Sequence, residues 1–194
     1  MGGSAIEPTQ GDRHPPVAVV LGLAGAFKSG KTTLGSELAT RLGWPKASFG
    51  EFVRAEARSR CLDDSRETLQ DLGEKLISEL GWRKFVGSVL ASGGTEGNLI
   101  VEGFRHLEAV DTAIFLVAPR TFVCVGIAVS QQARSQRDST TKQTVSDAVV
   151  AKHSTEREVP DVLRSRTDLI VQSRDVANMA DEVVGYLRRR ALIP

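Results

Sequence analysis

Residues 17–23 run Val-Ala-Val-Val-Leu-Gly-Leu, apolar and rich in β-branched side chains without alternation. That is the pattern of a parallel strand buried on both faces. Residues 33–42 then carry Leu34, Leu38 and Leu42 at helical spacing. A turn and a short second strand are predicted over 44–49, and Gly50 opens a helix to about Ser59. Asp63-Asp64-Ser65 caps a longer helix with Leu69, Leu72, Leu76 and Leu80 on one face, ended by Gly81. The helical pattern resumes over 83–90 and breaks at Gly93-Gly94. A third strand over 99–101 closes on Glu102-Gly103. Residues 113–117 tempt a strand assignment. However, Leu107, Val110, Ile114 and Val117 fall at i, i+3, i+7 and i+10, so a helix is predicted from about His106 to Val117, stopped by Pro119. The fourth strand then falls over 122–129, giving the βαβ alternation a parallel sheet requires. A polar, arginine-bearing helix over 130–137, a Ser/Thr/Lys stretch over 138–144 and a helix near 146–153 follow. The fifth strand is expected over 169–171. The closing helix spans about 176–190, with Met179, Val183, Val184 and Leu187 on its apolar face.

The sum is a three-layer α/β/α domain over 17–194, built on a five-stranded parallel sheet, with a small lid insertion at about 130–160. At 194 residues the chain suits one such domain with a full core. Residues 1–16, with Pro8, Pro15, Pro16 and almost nothing apolar, read as a disordered leader. A formal charge of +1 argues against extended nucleic-acid binding, which needs a basic face. Cys61 and Cys124 are too few for a disulfide framework or a zinc site, which fits a reducing cytoplasm, and Cys124 sits in an apolar strand as a core residue. No apolar run reaches membrane-spanning length.

The chemistry begins at Gly25-Ala26-Phe27-Lys28-Ser29-Gly30-Lys31-Thr32-Thr33, which fits G-x-x-x-x-G-K-[ST] between the first strand and its helix. Gly25 and Gly30 permit the tight turn that points backbone N–H groups at phosphate oxygens. The helix N-terminus adds partial positive charge at the same place. Lys31, expected to face solvent, reaches the β- and γ-phosphates, and the Thr32 hydroxyl holds Mg²⁺. The expected ligand is a nucleoside triphosphate.

No Asn/Thr-Lys-x-Asp tetrapeptide for reading guanine occurs. Ser48-Phe49-Gly50-Glu51-Phe52-Val53-Arg54-Ala55-Glu56 resembles the Thr-Gly-Asp-x-Leu-Arg segment of adenylate kinases, and Leu99-Ile100-Val101-Glu102-Gly103-Phe104-Arg105 their Asp-Gly-Phe-Pro-Arg segment. The stretch from Ser65 to Gly73, with Glu102-Gly103-Phe104-Arg105-His106, is nearer to the bacterial and phage kinases grouped with deoxynucleoside monophosphate and dephospho-coenzyme A kinases. The resemblance spans about 17–190 and departs at three places. Glu102 replaces the usual Asp, Phe49 stands where Thr is common, and the insertion lacks a full arginine-rich lid.

This resemblance implies a P-loop kinase that uses ATP and Mg²⁺ on a small nucleotide acceptor. Arg54, Arg66 and Arg105 would seat the acceptor, Glu102 would share the metal with Thr32, and Arg134 and Arg137, three apart on one helix face, would close over the transferred phosphoryl group. Glu102 has an argument of its own, since a carboxylate ending a buried strand is costly unless metal or water satisfies it. Asp63 and Asp64 read as loop or cap residues, His106 as a structural donor, and Trp44 and Trp82 as core or rim. Two other readings stay open. One is a kinase for dephospho-coenzyme A or another small phosphorylated or hydroxylated acceptor, and the other a nucleotide-binding regulatory protein without transfer.

Overall fold

The computed structural model describes residues 17–129 and 157–194. Five parallel strands form one sheet in the order β2-β3-β1-β4-β5. They are β1 (Val19–Gly25), β2 (Lys46–Ser48), β3 (Leu99–Phe104), β4 (Thr121–Ala128) and β5 (Leu169–Gln172). Six helices accompany them among the described residues: α1 (Lys31–Leu42), α2 (Phe49–Ser59), α3 (Arg66–Gly93), α4 (Leu107–Val117), α5 (Val159–Ser165) and α6 (Val176–Arg189).

The lack of alternation in the first strand has the expected cause. All seven residues of β1 are buried, because the sheet is covered on both faces. Val19, Leu21 and Leu23 meet Leu34 and Leu38 of α1 and Met179, Val183 and Leu187 of α6. Val20 and Ala24 meet Val86 and Val89 of α3, Val110 and Ala113 of α4 and Val162 of α5. At Gly22 a Cβ would lie 2.7 Å from Phe122 and 3.0 Å from Phe104. The missing side chain lets those two rings meet edge-on across β1, 5.5 Å apart. A third cluster joins Val53 and Ala57 of α2 to Leu72, Leu76 and Phe85 of α3. Phe85 belongs to the part of α3 beyond Gly81, whose φ of 71° and ψ of 159° interrupt the helix where the sequence expects it to end.

The strand β1 lies two residues later than its apolar run implies, and Val17 is exposed. Helix α4 has the expected span, but its buried residues are Ala109, Val110, Ala113 and Val117, while Ile114 is exposed. The α5 turn was not anticipated, although Pro160 stands in its first turn, where a missing N–H costs nothing. Cys124 lies in the core of β4 as expected. Burial, with the Asp168 carboxylate nearby, pushes its thiol up to about 12. No described helix is long and apolar enough to cross a membrane.

Candidate active site

The sheet delivers its loops to one edge, the carboxyl ends of the strands, where open parallel sheets bind ligands. After β1 the chain turns through residues 26–30 into α1. The turn uses positive φ at Gly25 (151°), Lys28 (57°) and Gly30 (95°), and the Ser29 N–H donates to Ala26 O at 3.2 Å. A Cβ on Gly25 would lie 2.9 Å from Ser29 Oγ and 3.0 Å from Ile127 O, so glycine is needed there for space as well as for φ. From beyond β5, the Ser173 hydroxyl donates to Ser29 O at 3.0 Å and ties the loop down. No acidic residue lies in the first turn of α1, so its N-terminal charge stays available to an anion. Thr32 and Thr33 are exposed.

Lys31 departs from expectation. It is 9 % exposed, and Nζ donates to Gly25 O (2.7 Å), Ala26 O (2.6 Å) and Ser29 Oγ (3.3 Å). Three ammonium protons find three loop oxygens within reach, which offsets the hydration a compact cation loses on burial.

Glu102 is 3 % exposed near the end of β3. Between Leu23 and Ala24 the β1–β3 register skips Gly103, whose φ is 104°, and this bulge separates Glu102 from Phe104. The buried charge is met by Lys46, whose Nζ lies 2.7 Å from Oε1 and also donates to Ser36 Oγ at 3.0 Å. Sequence reasoning assigned that compensation to metal or water and missed Lys46. The signal was faint, since β2 and β3 pair across a separation of more than fifty residues. Gly35 of α1 completes the fit, because a Cβ there would press directly on the Glu102 carboxylate. Among the described residues no group of three His, Cys, Asp or Glu could hold a metal ion. A site of one hydroxyl, one carboxylate and phosphate oxygens suits Mg²⁺, which keeps several waters, so Thr32 and Glu102 remain its candidates.

Two cavities adjoin the loop. The larger, about 1240 Å³, runs from the loop past Lys46, Glu102 and Arg174. The smaller, about 340 Å³, lies between α2, α3 and the end of β3. Arg54 of α2, Arg66 at the start of α3 and Arg105 after β3 all border it, so the structure brings the three arginines together. Its walls are Phe49, Val53, Leu69, Ile77, Trp82 and Phe85. Phe49, which stands where the resemblance wants Thr, packs edge-on against Phe104 at 5.1 Å and tilted against Phe85 at 5.6 Å. Arg54 pairs with Glu51 one turn earlier. The Arg66 guanidinium lies 3.6 Å from the centroid of the Phe27 ring.

Asp63 is a loop residue that braces Ser65, the N-cap of α3. Its carboxylate accepts from the Ser65 N–H at 2.8 Å and the Thr68 hydroxyl at 3.0 Å, and hydrogen bonding from Ser65 holds it below the usual carboxylate range. Asp64 instead borders the smaller cavity. So does His106, whose ring packs on Trp82 and whose Nδ1 lies 3.3 Å from Glu158. Trp44 is a core residue, while Trp82 lines the cavity. Arg174 was overlooked, although it follows β5 at the ligand edge as Arg105 follows β3. Arg134, Arg137 and the lid insertion as far as residue 156 lie outside the described residues.

A phosphate-binding loop at the head of β1, in a parallel sheet ordered 2-3-1-4-5, defines a P-loop NTPase domain. Residues 21–148 match the model of the family described as an AAA domain, and the chain belongs to that family. None of the curated proteins matches it. The fold is shared with small P-loop kinases of known structure. Adenylylsulfate (APS) kinase from Mycobacterium tuberculosis, solved with AMPPNP and APS, superposes with a TM-score of 0.60 at 17% identity, covering 90% of this chain and 99% of that one. For shikimate kinase from Aquifex aeolicus the values are 0.59, 18%, 89% and 98%. For a gluconokinase from Sinorhizobium meliloti they are 0.58, 15%, 91% and 94%.

Proposed function

We propose that this chain is an ATP-dependent kinase whose acceptor is a nucleoside or deoxynucleoside monophosphate. The observation that carries this is the smaller cavity, in which three arginines from separate segments meet an aromatic and aliphatic wall beside the phosphate loop. Arginine grips phosphate bidentately, and flat apolar rings accept a nucleobase. Shikimate or gluconate offers no flat aromatic ring to match that wall. Positioning and charge neutralisation supply nearly all the catalysis in such a transfer. The loop amides and Lys31 would hold the donor, and Arg54, Arg66 and Arg105 the acceptor. Thr32 and Glu102 would hold Mg²⁺, which supplies neutralisation of phosphate charge.

Nucleoside monophosphates, deoxynucleoside monophosphates, dephospho-coenzyme A, shikimate, gluconate and APS should be screened for ADP release with MgATP. Turnover is expected with at least one nucleoside monophosphate and none with shikimate or gluconate. Turnover confined to the non-nucleotide acceptors would overturn the proposal. ATP binding without any transfer would favour a regulatory nucleotide-binding protein.

A further inference from the structure

Phe27 belongs to the phosphate loop, yet its side chain borders both cavities. It occupies an x position of the motif, where the loop's own chemistry asks only for a backbone N–H. Two cations approach its ring, the Arg66 guanidinium at 3.6 Å from the centroid and Lys28 Nζ at 5.6 Å. Arg66 is the first residue of α3, where the helix N-terminus disfavours positive charge. Attraction to the face of the ring offsets that, and a flat guanidinium exploits it better than an ammonium does.

The ring itself is held from behind. The turn hydrogen bond from Ser29 to Ala26, the Lys31 bonds to Gly25 and Ala26, and the tie from Ser173 all fix the backbone around it. A long, rotatable arginine on one element is thus oriented by a ring on another. Lys28 and Arg66 both border the smaller cavity beside this ring, and a phosphate held there would be drawn to their charges.

We infer that Phe27 is a positioning residue for the acceptor: it holds Arg66 against the rim of the smaller cavity and links acceptor affinity to the loop that binds the donor. This rests on the smaller cavity being the acceptor site. Affinity transmitted in one direction is transmitted equally in the other, so the link is reciprocal.

The test uses the full chain and the nucleoside monophosphate it phosphorylates fastest. Acceptor binding is read from Trp82 fluorescence in a Trp44→Phe background, and donor binding from titration with AMPPNP. Phe27→Leu should weaken acceptor binding about three- to thirtyfold, the range for cation–π contacts from exposed to desolvated sites, and by a larger factor than it weakens AMPPNP. Phe27→Tyr keeps the ring and should restore acceptor affinity. Arg66→Lys keeps the charge but loses both the planar stack and the bidentate grip, and should lose at least as much as Phe27→Leu. Equal weakening of donor and acceptor in Phe27→Leu, no weakening at all, or a loss in Phe27→Tyr as large as in Phe27→Leu would overturn the inference while wild-type turnover stands. Absence of any nucleoside monophosphate turnover in the wild type would instead bring down the functional reading beneath it.

Discussion

Gly35 shows how an unreactive residue can set the geometry of a charged one. In an open helix, Gly→Ala gains about 1 kcal/mol of propensity. Here the added Cβ would sit 2.8 Å from Cδ of Glu102 and closer still to Oε1. Both residues are buried, so the carboxylate can yield only by swinging toward the larger cavity and away from Lys46. Gly35→Ala should therefore destabilise the fold by about 1–3 kcal/mol in urea titrations, as overpacking does. It should also reduce ADP release by displacing the carboxylate from Lys46. A variant as stable and active as the wild type would show that Glu102 can move freely. Lys31 raises a different question, because its ammonium group organises the loop before any phosphate arrives. Lys31→Ala should lower turnover by about 10²–10³, the scale for losing one preorganised donor to developing charge. It should also lower the melting temperature, since the Gly25 and Ala26 carbonyls lose a buried partner. Near wild-type turnover would dissociate this loop from phosphoryl transfer.

Among the elements, β4 shows what burial on both faces does to a side chain. The Cys124 thiol is pushed from an ordinary value of 9.0 to about 12, first by burial and then by Asp168. The unfolded chain loses this proton at lower pH than the folded one. The contribution to stability is therefore complete below pH 9 and drains away as pH rises toward 12. Cys124→Ala should flatten that alkaline loss relative to the wild type in chemical denaturation between these limits. At neutral pH a thiol reagent should modify exposed Cys61 alone in the folded chain and both cysteines in denaturant. Two equivalents in the folded chain would mean that β4 opens. The same burial explains which elements the sequence makes legible. Continuous apolar runs mark β1 and β3, which helices cover on both faces, and the leucine spacing marks α1, which packs on one of those faces. In α4, Ala109 and Ala113 face the core while the larger Ile114 and Phe115 face outward, so hydrophobicity alone misplaces the buried stripe. Helix α5 is short and buries only Val159 and Val162, too little for a period to stand out.

At the scale of the whole molecule, the net charge of +1 conceals a local concentration of positive charge. Lys28, Arg54, Arg66 and Arg105 border one small cavity, with Asp64 the acidic residue among its lining. Arg66 opens α3 and Arg105 follows β3, positions legible in the sequence, whereas Arg54 lies within α2 and joins them only through the fold. Lys46 and the Phe27–Arg66 contact were not legible, because they depend on pairings that only the folded chain creates. On the proposed reading, with the donor in the larger cavity and the acceptor in the smaller, the two affinities should be separable by mutation. Arg54 is the best lever. It stands on α2, outside the loop, and its partner Glu51 is mostly exposed, so removing the guanidinium leaves no buried charge behind. A charge-assisted hydrogen bond contributes about 1.5–3 kcal/mol, so Arg54→Ala should raise the acceptor KM at least about tenfold. Arg54 also borders the larger cavity, but it lies outside the loop that holds the donor phosphates, so the ATP KM should change less than about threefold. Initial rates with each substrate varied at saturation of the other would measure both effects. An equal rise in both constants would mean that Arg54 touches the donor, and no change in either would move the acceptor's phosphate out of this cavity.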